Sequence, residues 1–204
     1  MQKTRFLLVS LISLTLACAS PQETEAGSGI VSNVDASALA EPKRTRLGLY
    51  VTAKEAASVL KDLDNVVLID VRAPEETMFV GIPKAPAVNI PFKTVDPNYT
   101  YDPEKSAYRL VRNEEFVSRV LAYLKSPAAG QGTQTVLLMC RSGGRSAKAV
   151  DALATEGGLT TVYSVVDGFE GDKDDNGRRN VNGWKNSGEP WTTKIPATYL
   201  YTAQ

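Results

Sequence analysis

The chain has 204 residues, 43% of them hydrophobic, and its 23 Lys and Arg balance 23 Asp and Glu for a formal net charge of zero. This composition fits one globular domain with extensions, and the neutral balance gives no support to nucleic-acid binding. Histidine is absent throughout. Ser/His/Asp triads, Cys-His dyads, histidine metal sites and imidazole acid–base chemistry are therefore excluded.

At the start of the chain, Lys3 and Arg5 precede an apolar run from Phe6 to Leu16 and small residues around Cys18. This is the pattern of an export signal, too short for an ordinary membrane-spanning helix. Leu14-Thr15-Leu16-Ala17-Cys18 resembles a bacterial lipoprotein signal, whose cleavage leaves Cys18 lipidated at the new N-terminus. Ala17-Cys18-Ala19 also offers an ordinary signal-peptidase site and a soluble periplasmic product. The lipoprotein reading is preferred because a cysteine at that spot is otherwise unexplained, and Ala19 after it leans toward the outer membrane. Residues 1–17 are thus expected to be a signal peptide, with membrane attachment through Cys18. Residues 18–46, rich in Ser, Ala, Glu and Gly, are expected to be a flexible tether.

The globular domain is expected over 47–192, with 193–204 as a C-terminal tail. Thr52 and Glu55 form a capping-box pair, and Ala56, Val59, Leu60 and Leu63 then share one helical face. Val66 to Asp70 is apolar until its aspartate, as a strand buried on both faces should be. Pro74-Glu75-Glu76 starts a short helix, and Ala87 to Pro91 is a short apolar stretch. Lys93 to Arg112, with mixed charge, tyrosines and prolines, is expected to be a long ordered loop able to fold over a site. Asn113 caps a helix whose inner face is Phe116, Val117, Val120, Leu121 and Leu124. The next strand, Thr135 to Met139, ends on Cys140. A helix from near Arg145 then turns Ala147, Val150, Leu153 and Ala154 inward and stops at Gly157-Gly158, before a β-branched run from Thr161 to Val166. Strands alternating with helices predict an α/β domain with a mainly parallel central sheet and helices on both faces. Sites in such sheets form beyond the carboxyl ends of strands, where Asp70-Val71-Arg72, the cysteine loop and Asp167-Gly168-Phe169 all fall.

Cys140-Arg141-Ser142-Gly143-Gly144-Arg145-Ser146 carries the chemistry. A strand, a glycine-rich turn and a helix start let backbone N–H groups converge above the cysteine sulfur, with Gly143 and Gly144 supplying unusual dihedrals. Arg141 and Arg145 add permanent cations, an environment that favours thiolate, the nucleophilic form. Only Cys18 and Cys140 exist, so Cys140 is expected to have no disulfide partner. A lone thiol on the oxidising side of a membrane suits a cysteine that is used.

These residues, together with Leu68-Ile69-Asp70-Val71-Arg72 followed by Pro74-Glu75-Glu76, Gly81-Ile82-Pro83, Ala87-Val88-Asn89-Ile90-Pro91, Asp167-Gly168-Phe169-Glu170-Gly171, Gly183-Trp184 and Pro190-Trp191, resemble the single-domain rhodanese, or sulfurtransferase, family in its exported bacterial form. The resemblance runs in order from about Leu47 to about Trp191. It departs from the family pattern at Gly81, where histidine is common, and at Asp167, where a glycine is common. It implies a rhodanese-like fold and a Cys140 persulfide, formed from a small anionic sulfur donor such as thiosulfate and discharged to a thiol or other thiophilic acceptor. Arg141, Ser142, Gly143, Gly144, Arg145 and Ser146 would bind the donor, with Asp70 and Arg72 supporting nearby loops; no cofactor and no metal are implied. The alternatives are a phosphatase or arsenate reductase on the same fold, whose members resemble rhodaneses but carry one more residue in the loop, and a non-enzymatic sensor or interaction module, whose members typically lose the cysteine.

Asp172-Lys173-Asp174-Asp175-Asn176-Gly177 matches the first half of an EF-hand calcium loop. The twelfth position is Gly183 where a glutamate is needed, so a polar turn before Trp184 is expected instead. Trp184 and Trp191 are expected to pack at the core or its edge.

Overall fold

A computed structural model describes residues 29–132 and 135–200. The signal and the lipidation site expected at Cys18 lie outside the described residues. Within them the elements run β1 (Tyr50–Val51), α1 (Ala53–Asp62), β2 (Val66–Asp70), α2 (Pro74–Val80), β3 (Ile82–Pro83) and β4 (Ala87–Asn89). They continue as β5 (Lys93–Val95), β6 (Tyr101–Asp102), β7 (Ala107–Tyr108), β8 (Leu110–Arg112), α3 (Phe116–Lys125), β9 (Thr135–Met139), α4 (Gly144–Thr155), β10 (Val162–Val165) and β11 (Trp191–Thr192).

The main sheet has the order β1-β10-β9-β2-β4, and every neighbouring pair is parallel. Alternation along its strands divides the interior in two. Val67, Ile69, Val136, Leu138 and Val162 face α3 and α4, where they meet Phe116, Val120, Val150 and Leu153. Val66, Leu68, Leu137, Met139, Tyr163 and Val165 face the other way and pack with Ala53, Ala56 and Val59 of α1 and with Trp184. The sheet therefore has helices on both faces, and its central strands β2, β9 and β10 are buried at every position and predominantly apolar because neither face meets water.

Helix α1 begins as its residues require. Thr52 Oγ1 accepts from Glu55 N at 3.2 Å and Glu55 Oε2 accepts from Thr52 N at 2.8 Å. Helix α4 ends at a left-handed Gly158, with Leu159 N donating to Leu153 O at 3.1 Å. The stretch expected as a long loop, Lys93 to Arg112, is instead an antiparallel arm: β5 pairs with β8 and β6 with β7. Tyr99 and Ser106 take left-handed backbone conformations at its bends, which a propensity reading does not anticipate for those residue types.

Both extensions lie on the domain over their described residues. In the segment expected to be a tether, Asn33 N donates to Glu55 Oε1 at 2.8 Å, Arg46 N donates to Asp151 Oδ1 at 2.8 Å, and Lys43 Nζ is 2.7 Å from Asp172 Oδ2. These contacts are polar and join residues far apart in sequence, so no hydrophobic period announces them. In the tail, Tyr199 is 2% exposed and its hydroxyl donates to Asp70 Oδ2 at 2.7 Å. Trp184 is buried at 1% exposure and Trp191 sits at the edge at 42%, in β11 paired with β3.

Candidate active site

Cys140 stands at the carboxyl end of β9, between β10 and β2 in the middle of the sheet, and only 1% of it is exposed. The loop that follows wraps its sulfur. Gly143 N donates to Cys140 Sγ at 3.2 Å, and Sγ lies 3.6 Å from Ser146 Oγ. Gly143 adopts φ 96°, and a Cβ there would fall 2.1 Å from Val166 O, so no side chain fits. Gly144 is different: it opens α4 in ordinary helical conformation, and the nearest atom to an added Cβ is Pro42 O at 3.7 Å. Of the two glycines, only Gly143 supplies the unusual dihedral. The first N–H groups of α4, on Gly144, Arg145 and Ser146, have no acceptor within the helix and complete the anion-attracting end.

A second loop holds the first from behind. Phe169 N donates to Cys140 O at 2.8 Å, and Glu170 N and Gly171 N donate to Arg141 O at 2.9 and 3.1 Å. This approach requires a left-handed Gly168, whose added Cβ would meet Cys140 O at 2.5 Å. Asp167, the departure from the family pattern, braces the same junction: its Oδ1 accepts from Ala53 N at 2.7 Å and its Oδ2 from Gly183 N at 2.9 Å. Burial pushes its carboxyl up despite these donors.

The two arginines of the loop have separate fates. Arg145 makes a bidentate pair with Glu76 of α2, Nη1 to Oε2 and Nη2 to Oε1, each at 2.5 Å. Burial opposes the Glu76 charge, but the Arg145 hydrogen bonds and charge outweigh it and hold the carboxyl below its ordinary range. Glu76 Oε2 also accepts from Ala73 N at 3.0 Å, which closes the first turn of α2. The permanent cation expected at Arg145 is present, but Glu76 balances its charge. Arg141 is exposed and has no ion pair among the described residues. Ser146 braces the loop, its hydroxyl donating to Gly143 O at 2.7 Å and lying 3.0 Å from Ser164 Oγ. Between Ser142 and Ser146, it is Ser146 that approaches the sulfur.

Asp70 and Arg72 lie beneath the loop as a fully buried pair, Arg72 Nη2 to Asp70 Oδ2 at 2.5 Å. Arg72 Nη2 also donates to Gly81 O at 2.9 Å, and the guanidinium lies 4.1 Å over the Phe169 ring, whose backbone holds Cys140 O. Among the described residues Arg72 Nη1 has no hydrogen-bond acceptor. Burial opposes the charge of Arg72, but Asp70 beside it keeps it firmly protonated. Burial, and then the Asp70 charge, hold the Tyr199 hydroxyl protonated as well. Gly81, the other departure, has φ 97°, and a Cβ there would stand 2.9 Å from both Thr192 O and the Trp191 ring. The close packing of β11 explains the missing side chain.

The acidic turn is spent internally. Asp172 is paired with Lys43, and Asp174 Oδ1 accepts from Asn176 N at 3.0 Å and from Arg178 N at 2.8 Å. Among the described residues no cluster of His, Cys, Asp or Glu could hold a metal ion, and no helix is long and apolar enough to cross a membrane.

A parallel α/β sheet that lifts a cysteine from its central strand into a loop of backbone donors defines a cysteine-centred α/β domain. A family model described as "Rhodanese-like domain" matches residues 52–175, and the chain belongs to that family. It is 28% identical over 141 residues to the protein RC0915 of Rickettsia conorii, covering 69% of this chain and 94% of that one. A Rickettsia montanensis protein named for the dnaA 5' region matches to the same extent, 28% over 141 residues. Among solved structures, Rv0390 from M. tuberculosis is similar at 30% identity with a TM-score of 0.52, covering 70% of this chain and 96% of that chain.

Proposed function

We propose that the protein is a sulfurtransferase that moves one sulfane sulfur from a small anionic donor through Cys140 to a thiol or other thiophilic acceptor. The observation that carries this is the sulfur itself: Cys140 Sγ receives the Gly143 N–H at 3.2 Å inside a loop with only four residues between Cys140 and Arg145. In a chain without histidine, this backbone donor and the helix end beside it are what the loop offers the sulfur.

In the first half-reaction the Cys140 thiolate attacks the outer sulfur of thiosulfate. A new S–S bond forms, the old one breaks, and sulfite leaves with its electron pair. In the second, an acceptor thiolate attacks the outer sulfur of the Cys140 persulfide, takes it as a new persulfide and returns the Cys140 thiolate. The Gly143 N–H and the open end of α4 face the charge that passes between thiolate and persulfide. Arg141 supplies the exposed cation for the donor's oxygens. Arg145, tied to Glu76, holds the helix end in place. The export and lipidation signal read around Cys18 belongs to the same proposal and puts this chemistry on the periplasmic side of the membrane.

Parallel assays with thiosulfate and an aryl phosphate test the reaction class. Sulfite release that depends on Cys140, with no phosphate release, is the expected result; phosphate release without any cysteine persulfide would overturn the reading.

A further inference from the structure

With Arg145 committed to Glu76, the exposed Arg141 is the cation of the loop left without an ion pair among the described residues. A second comes from an element outside the cysteine motif. Residues 172–182 form a closed loop between Gly171 and Gly183, both left-handed. Their necks touch so closely that a Cβ on Gly171 would meet Asn182 O at 1.8 Å, and one on Gly183 would meet Gly171 N at 2.4 Å. Inside, Lys173 and Arg179 form an antiparallel bridge and Asp174 gathers the N–H groups of Asn176 and Arg178 and the Asn180 side chain. The turn that resembles half a calcium loop is thus an internally hydrogen-bonded scaffold.

This scaffold carries Arg179 back to its own neck. Arg179 Nη1 donates to Gly171 O at 2.6 Å, and Gly171 N in turn donates to Arg141 O at 3.1 Å. One residue, Gly171, therefore links the Arg179 guanidinium to the backbone of the active-site loop. Glu170 and Asp172 are within electrostatic range of Arg179, but neither forms an ion pair with it, and Asp172 is taken by Lys43. Arg179 is half-buried and interacts with Arg141 and with Cys140: burial first, and the Arg141 charge second, pull it below the ordinary guanidinium range while it stays charged.

We infer that Arg179 is a specificity-determining residue of the Cys140 site, forming with Arg141 a two-cation clamp that selects doubly charged sulfur donors over singly charged ones. The inference rests on the sulfurtransferase reading for its chemistry. Its physical basis is the repulsion stored between two nearby guanidinium groups. A dianion satisfies both and removes the repulsion, whereas a monoanion satisfies one and leaves the other uncompensated. Fixing one edge of Arg179 on Gly171 O orients the rest of its fork before the donor arrives.

The test compares thiosulfate, a dianion, with benzenethiosulfonate, a monoanion bearing the same transferable sulfur, in the full mature chain and in Arg179→Gln and Arg179→Lys. The expected result is a fall of about tenfold in the ratio of kcat/KM for thiosulfate to that for benzenethiosulfonate in Arg179→Gln, carried by KM, with partial recovery in Arg179→Lys. A merely structural role for Arg179 would lower both donors together and leave the ratio where it was, which would overturn the inference. Calorimetric binding of thiosulfate to Cys140→Ser, with and without Arg179→Gln, separates the clamp from the transfer reaction. Weaker binding in the double variant supports the clamp even if no persulfide forms in the parent chain. Equal binding in the two overturns it even where sulfur transfer is sound.

Discussion

Gly143 and Gly144 are neighbours of one residue type with opposite demands on the backbone. Gly143 sits at φ 96° against Val166 O, whereas Gly144 is helical with ordinary space around it. Gly143→Ala is expected to lose at least about 1–2 kcal/mol from the left-handed conformation alone, and sulfur transfer with it. Gly144→Ala should stay within about 0.5 kcal/mol of the parent. Thermal denaturation of the two variants checks this, and equal losses would contradict the assigned geometry. Glu76 is the residue that motif reading passed over. It lies in the short signature Pro74-Glu75-Glu76, but its partner Arg145 is 69 positions away, and nothing local says that the loop arginine arrives paired. Because the folded-state carboxyl is held below its ordinary 4.5, the stability it contributes is present above that value and lost as the pH falls through the folded one. Urea denaturation between neutral and acid pH should therefore show a shallower acid loss in Glu76→Gln than in the parent; identical acid slopes would sink the claim.

At the scale of elements, strands and helices were legible wherever one periodicity dominated. The Thr52–Glu55 box, the largely apolar, fully buried β2 and β9, and the glycine stop of α4 each follow from local chemistry, and the structure has them. The β5–β8 arm was not legible, because its strands are two or three residues long and its bends use Tyr99 and Ser106 in conformations those residues rarely take. The tail was equally silent. One tyrosine in a polar stretch gives no sign that it closes a buried network 129 positions away at Asp70. Tyr199→Phe removes only that hydroxyl and leaves Asp70 one donor short, so it should cost about 1–3 kcal/mol in chemical denaturation. A variant as stable as the parent would mean that the tail is not a working part of the domain.

Across the whole molecule, the site is a point where four stretches distant in sequence meet: the Asp70–Arg72 turn, α2 with Glu76, the cysteine loop, and the Asp167–Gly183 region. The first and third were readable as motifs because each is built from residues adjacent in sequence. The pairing of Arg145 with Glu76, the tie of Lys43 to Asp172 and the tie of Arg179 to Gly171 were not, since each joins partners that only the completed fold brings together. Charge shows the consequence most clearly. Two loop arginines in the sequence become one committed and one exposed, and a third cation arrives from a turn that resembles a metal loop. The chemistry of Cys140 can be read from intact mass spectrometry of the mature chain, with and without thiosulfate. A gain of one sulfur atom is expected, located on Cys140, absent from Cys140→Ser and removed by added thiol. An unchanged mass with thiosulfate and with other sulfane donors would contradict it.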